Sequence, residues 1–161
     1  MNEPNQDNSL KVLMADDDPD DCLLIREAFE VAGIACELRM ARDGRELAAY
    51  LIPENSGWDE YGQSLADIVL LDLNMPRKDG REILEEINRK KIVVPAPIIV
   101  FTTSRAEEDV RAAYVAGVAA YVIKPDNFDK LLEFVNRLKD YRGGSRSRPF
   151  PEALRWRPVR L

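Results

Sequence analysis

Short apolar runs alternate five times with longer segments of helical periodicity, and this alternation constrains the fold more than any other feature of the chain. A short apolar run without alternating polar residues is typical of a strand that is buried on both faces. When each such strand is followed by a helix, the strands form a parallel sheet that helices cover on both sides. The sequence therefore predicts an α/β fold with a doubly wound, five-stranded parallel sheet. The predicted strands cover residues 10–15, 35–40, 66–71, 97–101 and 119–123.

Local signals mark the helices that connect these strands. Asp18 followed by Pro19 suits the N-cap and first residue of a helix that stops at Gly33, and Asp126 is predicted to cap the last helix. Further helices are predicted over residues 45–51 and from about 107 to 116. The residues predicted to face the core are Leu24, Ile25, Ala28 and Phe29 in the first helix, Ile83, Leu84 and Ile87 in the third, and Phe128, Leu131, Leu132, Val135 and Leu138 in the last.

The chain contains no histidine. This excludes Ser/His/Asp and Cys/His nucleophile systems as well as histidine-ligated zinc. Chemistry near neutral pH must therefore use carboxylates, lysine or a metal-bound group.

The first nine residues are polar and lack the features of a secretory signal, so a reducing, cytoplasmic environment is expected. In that environment Cys22 and Cys36 are expected to be small buried side chains rather than a disulfide or reactive thiols. No apolar run approaches the roughly 18 residues that a membrane span needs, so no membrane partner is expected.

Charge divides the chain into an acidic body and a basic arm. Residues 142–161 carry six arginines and one glutamate, a net charge of +5, whereas residues 1–141 carry −11. We predict a disordered N-terminus over 1–9, one folded domain over 10–141 and a basic, apolar C-terminal arm over 142–161. A loop over 53–65 is either a functional segment or an insertion that Trp58 pins to the core edge.

Three interpretations of the arm stay open: disorder, a charge-driven contact with a nucleic acid or an acidic surface, and docking. Docking on the chain's own body or on a second subunit is favoured, because disorder would leave Trp156 in water and because a basic arm matches an acidic body. Exchange of the arm between two subunits would give a homodimer. The arm is too short for a DNA-binding domain, so no direct DNA binding is expected.

Polar residues stand where four of the five predicted strands end. Asp16, Asp17 and Asp18 follow the first strand, and Asp72 follows the third. Thr102 follows the fourth strand and Lys124 the fifth. In an open α/β sheet the ligand site lies beyond the carboxyl ends of the strands. Each residue alone has a local explanation, since Asp, Thr and Pro are common in turns and Asp18 is a helix cap. Their combination favours a functional site.

The chemistry of this set points to phosphoryl transfer. Clustered carboxylates repel unless a cation compensates, and Mg²⁺ suits a few carboxylates while keeping positions for water and phosphate. Lys124 supplies a positive charge and Thr102 a hydroxyl donor. Without histidine, the best nucleophile is a carboxylate, and its attack on a phosphoryl group gives an aspartyl phosphate.

Four sequence runs carry a resemblance to a known family. They are VLMADDDP at 12–19, IVLLDLNMP at 68–76 with Asp79-Gly80, VFTTS at 100–104 and YVIKP at 121–125. Together they resemble the receiver domain of two-component response regulators, and the resemblance covers residues 10 to about 141. It implies a flavodoxin-like (βα)5 fold with strand order 2-1-3-4-5.

The resemblance also implies roles for individual residues. Asp72 is the phosphoacceptor, and Lys124 contacts the phosphoryl group. Thr102 and Tyr121 form a switch pair, although a half-buried core aromatic is an equally good interpretation of Tyr121 from its sequence pattern. The implied Mg²⁺ ligands are Asp16, Asp17, Asp72 and the backbone carbonyl of Asn74.

A narrower resemblance concerns the run LNMPRKDG at 73–80, the long loop before the third strand and the lack of an output domain. These features are similar to stand-alone receivers that are paired with phytochrome-type sensor histidine kinases. The implied function is that of a single-domain response regulator, not an enzyme beyond its own phosphorylation and dephosphorylation, with a histidine kinase as its partner.

Two functions of other classes remain as alternatives. An aspartyl-phosphate phosphohydrolase would use similar Mg²⁺ chemistry but normally has a second acid two residues beyond the nucleophile, where this chain has Asn74. A flavin-binding electron carrier would need a hydroxyl-rich phosphate loop where Asp16 to Asp18 stand, and carboxylates there would repel the flavin phosphate.

Overall fold

A five-stranded parallel sheet forms the centre of the computed structural model, which describes residues 9–51, 66–94 and 96–139. The strand order is β2-β1-β3-β4-β5, which confirms the order implied by the resemblance. The strands are β1 (Leu10–Ala15), β2 (Cys36–Ala41), β3 (Ile68–Leu71), β4 (Ile98–Thr102) and β5 (Ala120–Ile123). Every residue of β3 and β4 is buried, whereas burial alternates along the edge strand β2. Central strands are covered on both faces, which explains their continuous apolar sequence.

Five helices are seen in the described part of the chain: α1 (Pro19–Val31), α2 (Gly44–Leu51), α3 (Gly80–Lys90), α4 (Glu107–Val115) and α5 (Phe128–Leu138). The helices α1 and α5 pack on one face of the sheet, where Phe101 and Phe134 stack with ring centroids 5.1 Å apart. The helices α2, α3 and α4 cover the other face. The doubly wound α/β architecture is therefore confirmed, and both faces of the sheet are buried.

Strand register aligns the polar residues at one edge. Ala15 pairs with Leu71 across β1 and β3, so Asp16 and Asp72 follow at neighbouring positions. Thr102 at the end of β4 pairs with Ile123, the residue before Lys124. The carboxyl ends of four strands therefore lie side by side.

Several local predictions are confirmed at the ends of the helices. Asp18 caps α1 by accepting a hydrogen bond from Asp20 N, and Pro19 is the first helical residue. Gly33, with φ +68°, follows the end of this helix in the left-handed conformation that glycine adopts without strain. Ile83, Leu84 and Ile87 are buried as predicted.

Two local predictions are wrong. Leu24 is 43% exposed, because it lies about 100° around the helix from Ile25, which does face the sheet. The cap of α5 is Asn127, whose side chain accepts from Lys130 N, whereas Asp126 pairs with the Lys130 ammonium instead. In that last helix Phe134 is buried although it was not predicted, while Phe128 and Leu132 are only half-buried.

Strand and helix bounds differ from the predicted ones by one or two residues. The second, fourth and fifth strands begin one residue later than predicted, the third begins two later, and α2 begins one earlier. Apolar patterning marks which residues are buried, but backbone hydrogen bonds determine where an element ends.

Both cysteines are free and half-buried, and burial raises the pKa of each thiol to about 11. The predicted disordered N-terminus lies outside the described residues except for Ser9, and the 53–65 loop and the 142–161 arm lie outside them entirely. Among the helices that the structure does describe, none is long and apolar enough to cross a membrane.

Candidate functional site

Three of the predicted acidic side chains form one cluster at the carboxyl edge of the sheet. Asp16 follows β1 and Asp72 follows β3, and both are buried, whereas Asp17 beside them is exposed. One carboxylate oxygen from each of the three residues can be chosen so that all lie within 4.8 Å of one another. This spacing brings the three acids within reach of a single cation.

The environment of Asp16 shows that this cluster fits a cation. Its Oδ1 accepts a hydrogen bond from Asp18 N at 2.9 Å. Its Oδ2 is buried and accepts no hydrogen bond of good geometry, although Lys124 Nζ lies 2.9 Å away. Burial raises the pKa of Asp16 to about 6, against the opposing effects of Asp18 N and Lys124. A buried oxygen without a donor, next to two further carboxylates, suits a hard divalent cation such as Mg²⁺.

The turn after β3 fixes the carboxylate of Asp72. Its Oδ1 accepts a hydrogen bond from Asn74 N at 3.2 Å, and its Oδ2 lies 3.0 Å from Lys124 Nζ. Helix α3 begins directly against this turn, and Gly80 makes the approach possible, because a Cβ there would lie 2.3 Å from the Asp72 carbonyl oxygen. The motif Asp79-Gly80 thus combines a helix cap, in which Asp79 accepts from Glu82 N, with a close backbone contact.

Lys124 holds the acidic cluster together. Its Nζ contacts three carboxylates, those of Asp21 at 2.5 Å, Asp16 at 2.9 Å and Asp72 at 3.0 Å. Burial by itself would lower the pKa of Lys124, but the hydrogen bonds and charges of these acids outweigh burial and hold its pKa above the ordinary value. The ammonium is therefore charged and aimed at Asp72.

Sequence reasoning missed Asp21, which is part of this cluster. It lies in the first turn of α1, where an acidic residue is usually explained by the helix dipole. Nothing in the sequence distinguishes that local role from a contact with a lysine about 100 positions away. Only the tertiary structure brings Asp21 and Lys124 together.

Thr102 ends β4, one strand beyond Asp72 along the same edge, whereas Tyr121 lies within the neighbouring strand β5, two residues before its end. Both side chains are buried, at 0% and 1% exposure. Thr102 Oγ1 accepts from Ser104 N at 3.4 Å, and the Tyr121 hydroxyl donates to the Ser104 carbonyl at 2.9 Å. Burial raises the pKa of Tyr121 above its ordinary value, so the phenol keeps its proton. Tyr121 is therefore more deeply buried than a half-buried core aromatic.

A second polar cluster, also missed from the sequence, lies beside the site. Arg81 at the start of α3 forms a two-pronged ion pair with Asp109 of α4, and Asp109 also accepts a hydrogen bond from the Ser104 hydroxyl. Arg81 additionally donates to the side-chain oxygen of Asn74. The acidic first turn of α4 and an arginine after Asp79-Gly80 are visible in the sequence, but their pairing is not.

Comparison with known families places these residues in context. A family model described as response regulator receiver domain matches residues 12–136, a range that includes every residue of the site. The chain belongs to the response regulator receiver domains. The resemblance drawn from the four sequence runs is confirmed. Receiver domains act in two-component signalling, where their partners are sensor histidine kinases.

Individual receivers support the narrower resemblance. Response regulator Rcp1 of Synechocystis is 37% identical over 131 residues, which cover 81% of this chain and 86% of Rcp1. FilR2 of Methanothrix harundinacea, a probable methanogenesis regulatory protein, is 36% identical over 140 residues, with 87% of this chain and 88% of FilR2 covered. The match thus covers most of the length of both of these relatives.

Solved receivers of this type share the fold. The phosphorylated cyanobacterial phytochrome response regulator RcpA matches with a TM-score of 0.66 at 33% identity, covering 83% of this chain and 94% of RcpA. Rcp1 has a structure in a Mn²⁺-bound form, which matches with a TM-score of 0.63 at 32% identity, covering 81% of this chain and 92% of that one. Phytochrome-linked receivers are therefore among the relatives, and one of them binds a divalent metal.

Proposed function

We propose that this chain is a response regulator receiver that accepts a phosphoryl group on Asp72 from the phosphohistidine of a sensor histidine kinase, with Mg²⁺ required. The observation that carries the proposal is the buried carboxylate of Asp72, which lies 3.0 Å from Lys124 Nζ and within the acidic cluster of Asp16 and Asp17. The nucleophile Asp72 therefore lies beside one fixed cation, Lys124, and within a cluster of acids that could hold a second cation.

In the proposed reaction, an oxygen of Asp72 forms a bond to phosphorus as the phosphorus–nitrogen bond to the donor histidine breaks. Lys124 is placed to neutralise charge on the phosphoryl oxygens, and Thr102 supplies a hydroxyl donor near the end of β4. Asp16, Asp17, Asp72 and the carbonyl of Asn74 would hold Mg²⁺, which when bound screens the negative charge of the incoming group. The chain acts only on its own aspartate and turns over no separate substrate.

Phosphorylation is proposed to switch a surface. The new dianion draws Thr102 toward it, and Tyr121 turns into the space that Thr102 leaves. The surface of α4, β5 and α5 then shifts its population toward a state that binds a partner. The inward position is the one seen in this structure, where the Tyr121 hydroxyl donates to the Ser104 carbonyl. Phosphorylation is proposed to raise the population of that position.

The decisive test replaces the proposed phosphoacceptor. The variant Asp72→Asn, incubated with Mg²⁺ and a phosphorylated kinase or an acyl phosphate, is expected to gain no phosphoryl group, as measured by intact-protein mass. Asp20→Asn is the matched control, because Asp20 is an exposed acid of α1 whose side chain makes no hydrogen bond or ion pair among the described residues. Phosphorylation of Asp72→Asn at the wild-type rate would remove Asp72 from the proposal.

The partner kinase is proposed to be of the phytochrome type, because RcpA and its relatives are phytochrome response regulators. Phosphotransfer profiling against the histidine kinases of the source organism is expected to show fastest transfer from a phytochrome-type kinase. The competing phosphohydrolase function lacks its second acid, since Asn74 occupies that position and its side-chain oxygen accepts from Arg81. Turnover of small phosphoesters would favour that alternative.

We also propose that the 142–161 arm docks on the acidic body, with exchange between two subunits. The net charges of +5 and −11 and the large apolar side chain of Trp156 support this. Truncation after Gly144 removes 17 residues from each chain. The molar mass measured by light scattering is expected to fall from that of a dimer to that of a monomer, because the dimer dissociates without the arm. An unchanged oligomeric state would remove the arm from dimerisation.

A further inference from the structure

A continuous chain of polar contacts starts at the loop that follows Asp72. Arg81 Nε and Nη2 donate to the two carboxylate oxygens of Asp109 at 2.7 and 2.8 Å. The third nitrogen, Nη1, donates to Asn74 Oδ1 at 3.1 Å and to the Leu73 carbonyl at 3.5 Å. One guanidinium therefore connects the two residues directly after Asp72 with the first turn of α4.

The same chain continues from Asp109 to the proposed switch residue. Ser104 Oγ donates to Asp109 Oδ2 at 2.6 Å, and the carbonyl of Ser104 accepts from the Tyr121 hydroxyl at 2.9 Å. The position of this carbonyl is thus fixed by a side-chain contact of the same residue. Asp109 is thus linked to the Tyr121 hydroxyl through one residue, Ser104.

The contacts of Arg81 and Asp109 are of the stronger kind. Two parallel hydrogen bonds between a guanidinium and a carboxylate add geometric specificity to charge attraction. The side chain of Asp109 is only 13% exposed, so water screens the pair less than it screens a free surface pair. The hydrogen bond from Arg81 holds the pKa of Asp109 below its ordinary value, so this carboxylate is charged at neutral pH.

We propose that Arg81 and Asp109 are positioning residues that stabilise the inward position of Tyr121 through Ser104 and couple that position to the Asn74 loop. This inference rests on the proposed function, because it needs Asp72 as phosphoacceptor and Tyr121 as switch. Two routes then connect Asp72 with Tyr121. One passes through Thr102, and the other passes through Asn74, Arg81, Asp109 and Ser104.

The test observes Tyr121 directly. Fluorotyrosine is incorporated into the full chain, and the fluorine NMR line of Tyr121 is assigned with Tyr121→Phe. In unphosphorylated, Mg²⁺-loaded protein, Arg81→Gln, Asp109→Asn and Ser104→Ala are each expected to raise the outward population of Tyr121 by at least about threefold, as neighbouring residues in one network are coupled. The double variant Arg81→Gln/Asp109→Asn is expected to add nothing to either single one.

Matched controls separate positioning from a general loss of structure. Arg89→Gln removes an exposed arginine of the same helix whose side chain makes no hydrogen bond or ion pair among the described residues. It is expected to leave the Tyr121 line unchanged. Arg81→Lys keeps the charge but cannot reach Asp109 and Asn74 in the same two-pronged way, so it is expected to restore the line only in part.

The experiment distinguishes failure of this inference from failure of the proposed function. An unchanged Tyr121 line in all three single variants, in protein whose wild-type form still gains one phosphoryl group on Asp72, overturns this inference alone. Failure of wild-type protein to be phosphorylated at Asp72 by any donor overturns the proposed function and this inference with it.

Discussion

Two clusters of charge beside the strand ends, both within the described part of the chain, differ in their balance of positive and negative groups. In the first cluster one buried ammonium, that of Lys124, contacts three carboxylates, and the side chain of Lys124 is only 12% exposed. In the second cluster the side chain of Arg81 is 40% exposed, and its main partner is the single carboxylate of Asp109.

The difference teaches what each cluster is suited for. The Lys124 cluster has an excess of buried negative charge, which leaves it in need of a further cation and suits it to metal and phosphoryl chemistry. The charges of the Arg81 cluster are matched within it, and Arg81 connects the Asn74 loop with the first turn of α4, which suits the cluster to positioning. Three predictions test this contrast.

The largest effect is expected from removing Lys124. The variant Lys124→Met leaves the carboxylates of Asp16, Asp21 and Asp72 without their shared cation, so the free energy of unfolding in metal-free buffer should fall by about 3 kcal/mol. Urea unfolding measures it. The control Lys130→Met, in which an exposed pair with Asp126 is lost, should have no measurable effect. Equal unfolding midpoints for the two variants would contradict the distinction between the clusters.

A smaller effect of opposite sign is expected from Asp16→Asn. The pKa of Asp16 is about 6 in the folded chain and 3.8 in the absence of its surroundings, so the charged form destabilises the fold as pH rises between these values. In metal-free protein above about pH 6, the variant should gain up to about 2 kcal/mol of stability, and near pH 4 it should gain almost none.

Mg²⁺ is expected to reverse the order of stability of the wild-type protein and Asp16→Asn. Saturating Mg²⁺ should stabilise the wild-type protein and have little effect on Asp16→Asn, because only the wild-type cluster keeps its full ligand set. Thermal melts with and without chelator at two pH values measure all four conditions. A variant that gains stability equally at both pH values would argue against a buried charge as the cause.

The smallest effect is expected from Arg81→Gln. Because Arg81 is 40% exposed, solvent screens its pair with Asp109, and the loss should be at most about 1 kcal/mol and shrink in 1 M salt. The pKa of Asp109 is lowered, so this stabilisation is present above the ordinary carboxylate pKa of about 4 and is lost as pH falls below it. Urea titrations at two salt concentrations, with Arg89→Gln as control, would show whether the loss is larger than a surface pair explains.

Much of the site could be predicted because parallel strands impose a simple rule. Their carboxyl ends meet at one edge, so residues such as Asp16, Asp72 and Lys124 can be brought together from strand ends alone. The rule does not extend to helices, whose side chains contact residues determined by packing angle and rotation. Asp21 was missed for that reason, and so was the contact between Arg81 and Asp109. The sequence also did not show that α5 begins at Phe128, which makes Asn127 rather than Asp126 its N-cap.

The sequence by itself determined the fold class and, once the family was recognised, the order of the parallel strands. It also supplied the acids, hydroxyl and lysine of the candidate site. These follow from local patterns, since apolar runs, caps and strand-end residues are set by neighbours along the chain. Only the tertiary structure decided that Lys124 is shared by three carboxylates, that Asp16 Oδ2 is buried without a directed donor, and that Arg81 connects the Asn74 loop to Tyr121. Those properties depend on distances between residues far apart in the chain, and burial changes the energy of a charge in a way that no local pattern records.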